Sequence, residues 1–324
     1  MVWVWAGFLA FVVLAVTLDL VVFHRKPHEV MMKESLFFCA GWVGLALVFN
    51  VIVYFLFASN APWLANAHHL SGREAAMLFL SGYVVELSLS ADNIFVMAII
   101  FSHFGVPAIY QHRVLFWGIL GAIVLRAVMI IGGVALIHTF DWIMYVFGAF
   151  LIYSALHMLL SKKEADPAKS LLIRLMRKLL PVTDGYHGHH FLVRQNKRFF
   201  LTPLALALLA VEGADVIFAI DSIPAILAIT DQPFLVFTSN IFAILGLRSM
   251  YFALSATLKR FHYLDVSLAV LLAVIGIKML LKDQLEHILG KTQTPIALAV
   301  IFVILAGGIV ASLIKPRPPA DVQG

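Results

Sequence analysis

A chain of 324 residues that is 62% hydrophobic and 13% charged, with a mean hydropathy of +0.97, has about half the charge of an ordinary soluble domain. That excludes a soluble fold and indicates an all-α, polytopic membrane protein. The formal net charge of +5 sits between apolar stretches, where it reports membrane orientation rather than a nucleic-acid partner, and the single cysteine, Cys39, excludes an intrachain disulfide framework and a cysteine-built zinc or iron–sulfur site.

Nine apolar segments of about 20 residues, the length of a bilayer span, follow in chain order. They are Val2 to Phe23, Ser35 to Phe57, Glu74 to Ser102, Val114 to Ile137, Trp142 to Leu160, Leu201 to Thr230, Phe234 to Leu258, Leu264 to Leu281, and Pro295 to Ile314. Met1-Val-Trp-Val-Trp5 lacks a basic leader region, and no small-residue cleavage site precedes Asp19, so this stretch reads as the first span rather than a signal peptide. With the amino terminus outside, 17 Lys and Arg residues fall in inside connections against 3 outside. The bias predicts an N-out, C-in topology.

The one long connection, 162–200, is then cytoplasmic. It carries an amphipathic basic patch, Leu171 to Leu180, suited to lie on an anionic leaflet. It also carries His187, His189 and His190. Imidazoles can bind a transition metal, but no Cys or carboxylate at a fixed spacing joins these three, and a solvated loop is expected.

The third and sixth spans hold most of the intramembrane acids. An ionised side chain at that depth costs about 2.5–3.5 kcal/mol, so several in one chain need a reason. Laid on each other without gaps, Glu86 falls on Asp215, Asp92 on Asp221 and Asn93 on Ser222. Further on, Gly118 to Arg126 pairs with Asn240 to Arg248, and Met158-Leu-Leu160 with Met279-Leu-Leu281. The unit is three spans long. Within a single membrane domain over 1–324, a first three-helix repeat at 74–161 is followed by a second at 201–283. An odd number of spans inverts the second copy, an arrangement of secondary transporters whose sites lie at mid-membrane between the repeats.

At about 100° per residue, Glu86 and Asn93 share a helix face while Asp92 projects roughly 120° away. Unbroken helices would send the acids toward different neighbours. Breaks are therefore expected at Gly82, Ser88 and Ser90 in the third span and at Gly213 and Pro224 in the sixth, freeing carbonyls that are tolerated where they line a cavity. On this reading Glu86, Asp92, Asn93, Glu212, Asp215, Asp221 and Ser222 converge on one polar site. An all-oxygen set suits hard divalent cations such as Mn²⁺, Mg²⁺ or Ca²⁺. Arg126 and Arg248 are intramembrane cations expected to balance part of the acid charge. Lys278 lies near a span end and can snorkel; Asp19 is a candidate accessory acid.

Glu86-Leu-Ser-Leu-Ser-Ala-Asp-Asn-Ile-Phe-Val96 and Asp215-Val-Ile-Phe-Ala-Ile-Asp-Ser-Ile-Pro-Ala-Ile226 closely resemble the signature segments of the TerC family. Thr238 to Tyr251 and Phe147-Gly-Ala-Phe150 resemble its Alx branch, and the likeness runs from about Asp19 to Leu281. The resemblance implies a bacterial inner-membrane protein associated with manganese export, in a family linked by name to tellurium resistance. It carries metal-site roles onto Glu86, Asp92, Asn93, Glu212, Asp215, Asp221 and Ser222. The expected function is Mn²⁺ efflux by alternating access, with proton counter-transport, Mn²⁺ being cargo rather than a cofactor and Ca²⁺ the alternative ion. A membrane scaffold or metallation partner is the competing reading. An enzyme is not expected, since no Gly-x-Ser-x-Gly, His-Glu-x-x-His or phosphate-cradling glycine loop occurs. The partners expected are the divalent ion and membrane lipid, with nucleic acid not expected and protein partners left open by the sequence.

Overall fold

The longest helix starts where the sequence supplies a complete cap. Ser71 Oγ accepts from the Glu74 N–H at 3.2 Å and the Glu74 carboxylate accepts from the Ser71 N–H at 2.9 Å, a reciprocal box that satisfies two otherwise orphaned donors. The same helix stops at Gly105, whose φ of 64° only glycine adopts without strain. Pro107 precedes the next helix. Thr202 caps another by accepting from Ala205, with Pro203 in its first turn.

The structure, a computed structural model, describes residues 2–23, 32–59, 70–140, 142–160, 181–183, 185–195, 198–254, 263–289 and 293–314. Its elements are α1 (Val2–Phe23), α2 (Met32–Ala58), α3 (Gly72–Phe104), α4 (Ala108–Thr139), α5 (Ile143–Leu160), β1 (Leu192–Gln195), β2 (Arg198–Leu201), α6 (Pro203–Leu227), α7 (Pro233–Leu254), α8 (Leu264–Leu280), α9 (Lys282–Leu289) and α10 (Gln293–Ile314). The protein is an all-α polytopic membrane protein, and each of the nine predicted spans coincides with a helix. Among the described residues, seven are long and apolar enough to cross a bilayer by length and composition.

Three elements were not anticipated. The short helix α9 follows α8 directly. Inside the long connection β1 and β2 form an antiparallel hairpin, Leu192 opposite Leu201 and Gln195 opposite Arg198. The second strand reads Arg-Phe-Phe-Leu, residues that favour extended backbone. The hairpin region is seated on the bundle: Tyr186 donates to the Phe104 carbonyl at 2.7 Å, and Arg113 lies over the Phe191 ring. The basic patch at 171–180 lies outside the described residues, as do the side chains of Asp19 and Asp265.

The expected helix breaks are absent. α3 is helical through Gly82, Ser88 and Ser90, and α6 through Gly213 and Pro224. Pro224 is tolerated because it lies in the last turn, so its missing N–H costs one ladder bond just before the helix ends.

α7 is almost wholly buried at the centre, with α3 and α4 against it. The first two spans attach through aromatic rings, Phe8 on Phe49 at 5.5 Å and Phe49 on Phe242 at 4.8 Å. α5 and α8 make the closest helix pair, crossing at two glycines. A Cβ on Gly276 would lie 2.7 Å from the Gly148 carbonyl oxygen, and one on Gly148 would lie 2.9 Å from that of Gly276. Because both obstacles are backbone, Gly276→Ala is expected to cost about 1–3 kcal/mol and to lower the melting temperature in detergent, whereas Gly132→Ala, which meets nothing within 4 Å, leaves it unchanged.

Candidate functional site

α3 delivers Glu86 to the interior of the bundle, fully buried, and α4 brings Arg126 to meet it from the neighbouring helix. Glu86 Oε1 and Arg126 Nη1 form an ion pair. The guanidinium also reaches Asp215 Oδ1 on α6 at 3.4 Å, and it donates to Asn240 Oδ1 on α7 at 3.1 Å. Asn240 Nδ2 closes the ring by donating to Glu86 Oε2 at 3.1 Å. Four helices thus contribute one group each. One guanidinium serves two carboxylates. A planar fork with five donors suits such divided attachment better than an ammonium would.

Beside this cluster lies a cavity of about 360 Å³. Glu86 and Asn93 of α3 and Arg126 of α4 form one side; Asp221 and Ser222 of α6 face them, and α5 supplies Tyr153, Ser154, His157 and Met158. Ser154 Oγ donates to Asp221 Oδ1 at 2.8 Å. Asn93 and Ser222 are each 2% exposed, yet Asn93 Oδ1 and Ser222 Oγ have no hydrogen-bond partner. A buried polar atom left unpaired costs about 1–3 kcal/mol. Tyr153 and His157 are exposed, with stacked rings 6.0 Å apart, and mark the mouth.

Of the seven sequence-predicted residues, Glu86, Asn93, Asp221 and Ser222 share this cavity, and Asp215 joins them through Arg126. Glu212 does not line it; its carboxylate lies against Gly121 of α4, where only a residue without a Cβ leaves room. The side chain of Asp92 lies outside the described residues. Convergence is partial because the helices run unbroken, and side chains spaced around them reach different neighbours. Among the described residues no three His, Cys, Asp or Glu side chains group closely enough to hold a metal ion by themselves, so any ion here draws on the amide, the hydroxyls and water as well. Arg126 sits among acids as expected. Arg248 is also buried but does not line the cavity. The histidine loop forms a turn, with the His190 N–H donating to the His187 carbonyl and Gly188 at φ 57°.

Sequence reasoning missed Asn240 and Ser154. The signal was present for Asn240, an amide in an apolar span within Thr238-Ser-Asn240. For Ser154 there was none, since serine is ordinary in membrane helices and only packing shows what faces it.

The family model described as integral membrane protein TerC family matches residues 71–319. The chain belongs to the TerC family. A membrane protein of Myxococcus xanthus is 49% identical to this TerC-family chain over 98% of its length and 95% of the relative's. Proteins of Salmonella typhi and Escherichia coli K12, each bearing the name membrane-bound redox modulator Alx, are 45% and 44% identical over 93% of this chain and 91% of theirs. No solved structure matches it.

The Arg126 cluster makes a stability prediction for this TerC-family protein. Arg126→Met leaves Glu86 and Asp215 buried without their cation and is expected to cost about 3–5 kcal/mol. Adding Glu86→Gln to that variant should recover part of the loss, as read by denaturant unfolding in detergent.

Proposed function

We propose that this TerC-family protein carries a divalent metal cation, Mn²⁺, out of the cytoplasm of a bacterial cell across its inner membrane, by alternating access at the cavity beside Arg126. Protons move the opposite way. The reading is of a transporter rather than an enzyme, and the identity of the ion rests on the family resemblance. The observation that carries it is the pair of orphaned oxygens, Asn93 Oδ1 and Ser222 Oγ. They occupy equivalent places in the two sequence repeats and border one cavity with Glu86 and Asp221. Buried oxygens without donors, flanked by carboxylates, are matched by a cation that brings the missing positive charge.

Helix packing supports an inverted repeat. The repeat lays α3 on α6, α4 on α7 and α5 on α8, so the packing of α3 on α7 has its counterpart in α6 on α4. The closest pair, α5 with α8, joins the two third helices. By the Met158 and Met279 alignment, Gly148 corresponds to Ala269 and Gly276 to Ala155, so small residues recur at the crossing. The mouth at His157 lies near the end of α5 leading into 162–200, the connection that the charge bias assigns to the cytoplasm. The cavity then receives its ion from that side.

Purified protein in vesicles tests the reading. Mn²⁺ flux should exceed that of protein-free vesicles and respond to a pH gradient. Asp221→Asn should reduce it about tenfold or more with an unchanged melting temperature. Absence of flux in the unaltered protein, or full flux in the variant, would remove the assignment.

A further inference from the structure

The cavity offers donors beyond oxygen. A volume of about 360 Å³ has room for on the order of ten water molecules, so an entering ion keeps much of its hydration and a tight fit to ionic radius cannot select it. Discrimination has to come from donor chemistry. Opposite the oxygens of Asn93, Asp221 and Ser222, α5 presents an imidazole and a thioether, His157 and Met158. His157 is held by its stack on Tyr153 and lies within electrostatic reach of Asp221. Met158 is half-buried, its flank on the apolar cluster of α5, α6 and α8 while it borders the cavity. Its repeat counterpart Met279 borders a second cavity, about 350 Å³, together with Met144, Asp231 and Lys278.

We infer that His157 and Met158 are specificity-determining residues that favour first-row transition-metal dications over Mg²⁺ and Ca²⁺ in this cavity. Mg²⁺ and Ca²⁺ take oxygen almost exclusively, whereas first-row transition dications, Mn²⁺ the hardest of them, also accept nitrogen and sulfur donors. The oxygens supply charge and hold any dication; the α5 wall adds a donor pair that only the transition metals use. The inference rests on the cavity being the cation site proposed above.

Competition binding on purified full-length protein in detergent tests it, with Mn²⁺ followed by electron paramagnetic resonance and Ca²⁺ or Mg²⁺ as competitor. The variants are Met158→Leu, close in volume and tolerated in packed sites, His157→Gln, and both together. The unaltered protein should bind Mn²⁺ in preference to Ca²⁺. The double variant should weaken Mn²⁺ about tenfold while Ca²⁺ changes less than about twofold, with the melting temperature as a check on folding. A preference for Mn²⁺ that survives in the double variant, or equal weakening for both ions, overturns the role of the α5 wall and leaves the cation site standing. Failure of the unaltered protein to bind any of the three ions removes the site and the inference together.

Discussion

The bundle depends on one buried guanidinium. Arg126 is 1% exposed and holds Glu86 from α3 and Asp215 from α6, with Asn240 of α7 bonded to both the arginine and the glutamate. Removing such charges from water costs several kcal/mol per ion, and only near-complete pairing offsets it. The relative positions of four helices are therefore coupled to a single network. Beside that network the Ser154 hydroxyl of α5 donates to Asp221.

Continuity of the helices decides how the remaining acids are used. Because α3 and α6 run unbroken past Glu86, Asp215 and Asp221, the carboxylates face separate neighbours: Arg126, the Gly121 surface of α4, and the Ser154 hydroxyl of α5. The lining of the cavity is correspondingly mixed, with acids, an amide and hydroxyls, and with the aromatic, imidazole and thioether groups of α5 at its open end.

Membership of the TerC family and close similarity to the Alx proteins agree with the motif resemblance in α3 and α6. Cys39 is the only cysteine, so no intrachain dithiol pair is available to this chain. The chemistry on display is that of charge and oxygen donors, concentrated between α3, α4, α5 and α6.

The sequence by itself determined the class of protein and the helices, because a 20-residue apolar stretch admits little besides a membrane helix, and it singled out the intramembrane acids, which are too costly to be incidental. Glu86, Asp215, Asp221 and Arg126 stood out for that reason, and the proposed internal repeat rests on matched polar positions on an apolar background. Only the tertiary structure decided which polar groups meet. Whether Pro224 breaks α6 depends on how near the helix end it sits and on what packs there; local propensity leaves both outcomes open. Ser154 and His157 carry no sequence signature and Met158 shows only as a repeat position, since their place in the cavity wall comes from how α5 packs, with its α5–α8 crossing at Gly148 and Gly276 joining residues more than a hundred positions apart. Glu212 looked like its neighbours in sequence and was turned to another helix face by the unbroken turn of α6. Periodicity specifies direction around a helix axis; what lies in that direction is settled by packing.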